Sequence, residues 1–190
     1  DAALATADRL QSQDRDFAGI KALKGDIYLA ANRPADAVTA YTAADNAAPS
    51  SLLVTRLAGA LLRSKRPDDA TKLLLDWIGK HADDTVATEQ VAEIYIATSK
   101  FADAAKYLEI LLKQKPHDAV ALNNLAWVYQ QLGDDAKAQA MGRQAYVLAP
   151  SSQTADTLGW ILTTTGNAQS GVALLRQASS DGTSDPRILY

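Results

Sequence analysis

The residues best suited to chemistry in this chain are two histidines and a series of paired carboxylates. His81 stands beside Asp83 and Asp84, and His117 beside Asp118. A zinc site needs three or four ligands, and the chain has neither a cysteine nor a His-x-x-x-His or Glu-x-x-His spacing. Without cysteine there is also no disulfide framework and no thiolate nucleophile. The acid pairs Asp68-Asp69, Asp83-Asp84 and Asp134-Asp135 could do acid–base work only from a shared pocket. Each falls instead at an expected helix start, where a carboxylate satisfies free N–H groups and the helix dipole. Gly166-Asn167-Ala168-Gln169-Ser170-Gly171 has the glycines of a phosphate loop but lacks the Lys-Ser/Thr that would hold phosphate and magnesium. No catalytic residue, metal site or cofactor is expected, and the chain reads as a non-enzyme. Three tryptophans are left with surface or core roles: Trp77, Trp127 and Trp160.

Composition narrows the class further. The chain has 190 residues, 47% hydrophobic and 22% charged, with a formal net charge of -3. That length is enough to bury a core without staples. A nucleic-acid binder would carry a basic stripe, and none is present. No apolar run approaches the roughly 18 residues that a membrane-spanning helix requires. Roughly a fifth of the residues are alanine, which favours closely packed helices. The start at Asp1 and the ending Arg187-Ile188-Leu189-Tyr190 read as the edges of an excised piece, with residues 186–190 opening a further helix.

The elements that position these side chains recur with a fixed period. Ala58, Ala92 and Ala126 are 34 residues apart, as are Leu61, Tyr95 and Tyr129, and Ala70, Ala104 and Ala138. Gly25, Tyr28 and Ala37 extend the same columns backwards by 33 residues; going forwards, Gly159 and Ala178 follow Ala126 and Ala145 by 33 residues. Such self-similarity marks a stack of identical supersecondary units. Within a unit, apolar residues at three- and four-residue steps predict two amphipathic helices. In the clearest copy Leu122, Leu125, Ala126 and Tyr129 line the first helix. Gly133 suits a left-handed cap, and Asp135 is expected to cap the second helix. Ala138, Met141, Ala145 and Leu148 are the expected inner face of that helix, and Pro150 ends it. Trp77 shares a column with Ala44, Leu111 and Ala145 and is expected in the core.

The spacing of Leu122, Leu125-Ala126, Tyr129, Gly133, Ala138, Ala145 and Pro150 resembles the tetratricopeptide repeat. The resemblance implies an all-α fold, a right-handed superhelical solenoid of antiparallel helix pairs with about five repeats and partial repeats at the ends. It implies one domain over residues 1–190. Residues 1–13 would be the second helix of a preceding repeat, followed by repeats at 18–50, 51–84, 85–118, 119–151 and 152–185. Departures are Lys24 in an apolar position, Gly142 and Gly171 in place of larger residues, and Ala82 where proline is common. Thr157-Leu158-Gly159-Trp160-Ile161-Leu162, Ala173 to Ala178 and Pro186 to Tyr190 resemble, more narrowly, the C-terminal repeats of the lipoprotein family of the PEP-CTERM protein-sorting and exopolysaccharide system. Related repeat proteins of cellulose and alginate secretion share this vocabulary.

The family resemblance also implies a concave groove built from the first helices. Its positions fall on Asp26, on Thr55, Arg56, Gly59 and Arg63, on Glu89, Glu93 and Ile96, on Asn123, Trp127, Gln130 and Gln131, and on Asp156, Trp160 and Thr163. Arginines, glutamates, amides and indoles suit an extended protein or peptide segment, with an aromatic as the anchor. The two-lysine, two-asparagine clamp for C-terminal carboxylates is not reproduced, because Asn123 and Asn124 lack the neighbouring lysines. The expected function is a non-catalytic protein-interaction scaffold, periplasmic or outer-membrane-associated, in polysaccharide export or surface-protein sorting. Two alternatives stay open. One is a carbohydrate-binding module using Trp127 and Trp160 against sugar faces, which glycan titration would separate. The other is a regulatory segment of a larger enzyme. End-to-end self-association through uncapped terminal repeats is a further expectation.

Overall fold

The computed structural model describes residues 2–14 and 17–180. Asp1, residues 181–185 at the end of the fifth expected repeat and the helix start expected at 186–190 lie outside the described residues. Eleven α-helices, and no strand, occur among the described residues. They are α1 (Ala2–Gln13), α2 (Ala18–Ala30), α3 (Pro34–Ala47), α4 (Ser51–Arg63), α5 (Pro67–Ile78), α6 (Thr85–Ala97), α7 (Phe101–Gln114), α8 (Ala119–Gln131), α9 (Asp135–Leu148), α10 (Ser152–Thr164) and α11 (Ala168–Ser180). The chain packs as two compact units, one up to Val91 and one from Ala92, the division falling inside α6.

Small residues set the helix spacing in both units. In the first, Ala58 on α4 and Ala37 and Ala70 on α3 and α5 are fully buried. A Cβ added to Gly25 on α2 would stand 2.5 Å from the Tyr41 ring of α3. In the second, Ala104, Ala126 and Ala138 are equally inaccessible. The α10–α11 pair is tighter still: a Cβ on Gly171 would lie 2.6 Å from the backbone oxygen of Gly159. Gly142 likewise admits Leu158, whose Cδ1 would be 3.3 Å from an added Cβ. The departures at Gly142 and Gly171 are therefore packing choices that let neighbouring helices close up. Around the small columns, Leu53, Val54, Leu57, Leu61 and Leu74 fill the first core. Leu108, Leu111, Leu122, Leu125, Leu158 and Ile161 fill the second.

Four of the five first helices start on side-chain caps, and α2, which follows Phe17, does not. Ser50 accepts from the Leu53 amide, Asp118 from the Val120 and Ala121 amides, and Ser151 forms a reciprocal capping box with Thr154. Two of the second helices begin on proline, at Pro34 and Pro67, with no side-chain cap. Proline suits that position because its missing N–H is one the helix would leave free. In α9 the cap is Asp134, which accepts from the Lys137 amide, and Asp135 is the first helical residue. The buried stripe of α9 also differs from expectation, running Ala138, Gly142, Ala145. At about 100° per residue Leu148 stands roughly 80° round from Ala138, and it is 44% exposed.

Lys24 occupies the column that is Leu57, Val91, Leu125 and Leu158 in later repeats. Its ammonium reaches across to α1, where it meets Asp8 Oδ1 at 2.6 Å and hydrogen-bonds Gln11. The stem fills an apolar place while the charge finds partners at the edge.

The turn inside each helix pair uses one left-handed residue: Asn32, Lys65, Ser99, Gly133 and Gly166. Glycine adopts this conformation freely, whereas a residue with a Cβ loses about 1 kcal/mol or more. Ser99→Gly is expected to raise unfolding stability by about 1 kcal/mol, and Gly133→Ala to lower it by a similar amount. Urea titrations of the two variants against wild type check both signs.

Candidate functional site

The candidates for chemistry resolve into helix ends. His81 is exposed in the turn before α6; its ring stacks on Trp77 at 3.8 Å, 19° from parallel. Asp84 caps α6, accepting from the amides of Val86 (3.1 Å) and Ala87 (3.0 Å), and takes the Trp77 indole N–H at 2.7 Å. Trp77 is thus half-buried and ties the end of α5 to the start of α6, instead of sitting in the core. His117 is exposed in the turn between α7 and α8. Gly166 is the left-handed turn residue between α10 and α11, and Gly171 is buried in their contact. Among the described residues no three His, Asp or Glu side chains gather as a metal site.

In the first unit, the faces of α2, α4 and the start of α6 form a polar wall. Asp26 accepts from the Tyr41 hydroxyl at 2.5 Å and from Arg56 Nη1 at 3.1 Å. Burial, reinforced by the bond to Asp26, pushes the Tyr41 phenol well above its usual range, so it remains a donor. Arg63 reaches Asn32 Oδ1 at 3.5 Å. Gln90 donates to the Thr55 carbonyl at 3.3 Å, joining α6 to α4, and Glu89 is half-buried beside it. Gly59 lies between the two arginines on α4. A Cβ there would meet nothing within 4 Å, so no packing demand accounts for a residue that costs a helix interior about 1 kcal/mol.

In the second unit, α8 and α10 present a wall of amides and indoles. Asn123, expected at the surface, is 5% exposed and its Oδ1 has no partner. Trp127 is half-buried and packs edge-to-face on Phe101 of α7, centroids 5.3 Å apart. Gln130 donates to Thr164 Oγ1 at 3.4 Å. Thr163 bonds back to the Gly159 carbonyl at 2.8 Å. Trp160 is open, 42% exposed, and Gln131 and Glu93 are exposed as well. Ile96 and Asp156 are half-buried.

Sequence reasoning passed over one row. Leu52 and Val86 in the first unit and Val120 in the second are 58%, 55% and 54% exposed, each one residue into its first helix. The signal was available, since all three share one 34-residue column of large apolar residues.

The model of the tetratricopeptide repeat family matches residues 24–85 and 92–153. The chain belongs to the tetratricopeptide repeat family. No curated protein matches it in sequence. This repeat protein is similar in fold to MamA (residues 41 to the end) from Desulfovibrio magneticus RS-1, with a TM-score of 0.78 at 14% identity over 88% of this chain and 97% of that one. Pseudomonas aeruginosa pilF superposes with a TM-score of 0.77 at 13% identity, covering 96% and 84% of the two chains. TTC0263, a thermophilic TPR protein of Thermus thermophilus, gives 0.66 at 18% identity over 90% and 94%. Tetratricopeptide repeat proteins are in general non-catalytic interaction scaffolds, and this chain shares their architecture. No helix among its described residues is long and apolar enough to cross a membrane.

The capping role of Asp84 has a pH signature. Burial alone would raise its pKa, but hydrogen bonds from Ser51, the Ala87 amide, Trp77 and the Val86 amide outweigh it and hold the carboxyl below its usual range. A depressed folded pKa stabilises fully above the unfolded value and is lost as pH falls through the folded one. The stability gap between wild type and Asp84→Asn is therefore expected to be full at about pH 7 and to close below about pH 4. Urea titrations of both proteins across that window check it; a gap independent of pH would mean that the charge is not what caps α6.

Proposed function

We propose that this repeat protein holds a segment of a partner protein on its first-helix walls, as a non-catalytic part of a bacterial envelope apparatus for exopolysaccharide export or PEP-CTERM-type surface-protein sorting. Its place would be periplasmic or outer-membrane-associated. The family supports the scaffold class. The system and the compartment rest on the resemblance of Thr157 to Leu162, Ala173 to Ala178 and Pro186 to Tyr190 to lipoproteins of that kind.

The observation that carries the binding surface is the open notch at Gly59. It is flanked by Arg56 and Arg63, with exposed Leu52 one turn before Arg56 on the same helix. In the other unit an exposed indole, Trp160, offers an anchor of the kind that dominates binding energies. Binding here makes and breaks no covalent bond. Helices fixed by alanine and glycine packing hold the backbone of each wall in place, so little backbone entropy is lost when a partner docks.

Two substitutions test this without unfolding the protein. Gly59→Leu fills the notch and replaces a helix-breaking residue in open space, so its melting temperature should hold or rise. Trp160→Ala removes an exposed ring. Tagged wild type is expected to recover a specific envelope protein that either variant recovers at least tenfold less well. Equal recovery by wild type and both folded variants would remove these walls as the working surface.

A further inference from the structure

A second surface lies on α9 and the turn between α7 and α8, and none of the residues assigned to the walls lines it. Pro116, His117, Arg143, Gln144, Val147 and Leu148 line an open hollow of about 420 Å³. Val147 is 77% exposed and Leu148 44%, side by side at the end of a helix. Nothing in the fold calls for apolar residues there. Comparison within the chain makes the point, because the equivalent pairs of the earlier second helices are Asn46-Ala47, Gly79-Lys80 and Lys113-Gln114. Only this repeat places two large apolar side chains at the site.

Charge defines what would cover them. Arg143 lines the hollow, and Lys113 and Lys115 stand at and just beyond the end of α7, next to Pro116 and His117. All three cations are exposed, and none makes an ion pair among the described residues. No carboxylate lines the hollow. An apolar depression with Arg143 in its lining, and two more unpaired cations just before Pro116 in the chain, is complementary to an apolar side chain carried among acids. The concavity favours a protruding side chain over a flat surface.

We propose that this hollow is a second docking site, which takes an acidic segment of a partner protein through one inserted apolar side chain. The apolar side chain would sit against Val147, Leu148 and Pro116, and carboxylates on either side would pair with Arg143 and the two lysines. The proposal does not depend on the function of the first-helix walls.

A random 12-residue peptide library displayed on phage, panned on the whole chain, tests it. The comparison proteins are Val147→Lys/Leu148→Gln, which installs the pair that α7 already carries at Lys113-Gln114, and Arg143→Glu. All three altered residues are exposed, so unchanged melting is expected. The expected result is a family of peptides with Leu, Ile, Met or Phe next to at least two acids. These peptides should bind both variants at least tenfold more weakly and bind Gly59→Leu as they bind wild type. Selected peptides without acids, peptides that bind the variants equally, or no selected peptide would each overturn the proposal. Vesicles of phosphatidylcholine with phosphatidylglycerol form a second arm. Binding to them that is lost in the variants, with no such peptide selected, would assign the patch to a lipid surface and overturn it as well.

Discussion

The closeness of neighbouring helices is the constraint on which everything else depends. Every helix of both units carries at least one buried alanine, and where the crossing is tightest even Cβ is absent, at Gly25, Gly159 and Gly171. Interiors packed at this density relax little, so a bulkier side chain in these columns would push a helix off its partner. With positions fixed to within a side chain, each first helix shows the same face in every repeat. The residues on that face can then vary without disturbing the core.

That freedom is used differently in the two units. In the first, the wall is charged, and Asp26 is shared between Tyr41 and Arg56. In the second, charge gives way to amides and indoles, with Gln130 tied to Thr164 and Trp127 braced by Phe101. Exposed ion pairs of this kind contribute little to stability. Their consequence is to order long side chains in advance, while Leu52 and Gly59 stay open on the first unit's wall and Trp160 on the second's.

Much of this was legible in the sequence because repetition multiplies weak signals. One alanine means little, but alanine or glycine in the same place five times defines a contact. The wall residues were legible only as positions. Asn123 proved buried where its counterparts Thr55, Glu89 and Asp156 are half-buried, and spacing alone does not reveal how far a face is covered. Trp77 was read as core from its column, yet an indole has an N–H to satisfy, and Asp84 at the next helix start drew it to the turn. The left-handed turns at Lys65 and Ser99 carry no glycine to announce them. Lys24 looked like a flaw in the first repeat until its partner helix α1 supplied Asp8 and Gln11.

The central claim, that the first-helix walls are where a partner sits, is tested most directly by photocrosslinking in the cells that make the protein. A benzophenone amino acid would replace Leu52 and Trp160 on the walls and, as a control, exposed Asp76 on α5. The account predicts a protein adduct of discrete size from positions 52 and 160 and none from 76. Adducts from position 76 alone, or none from either wall, would contradict it.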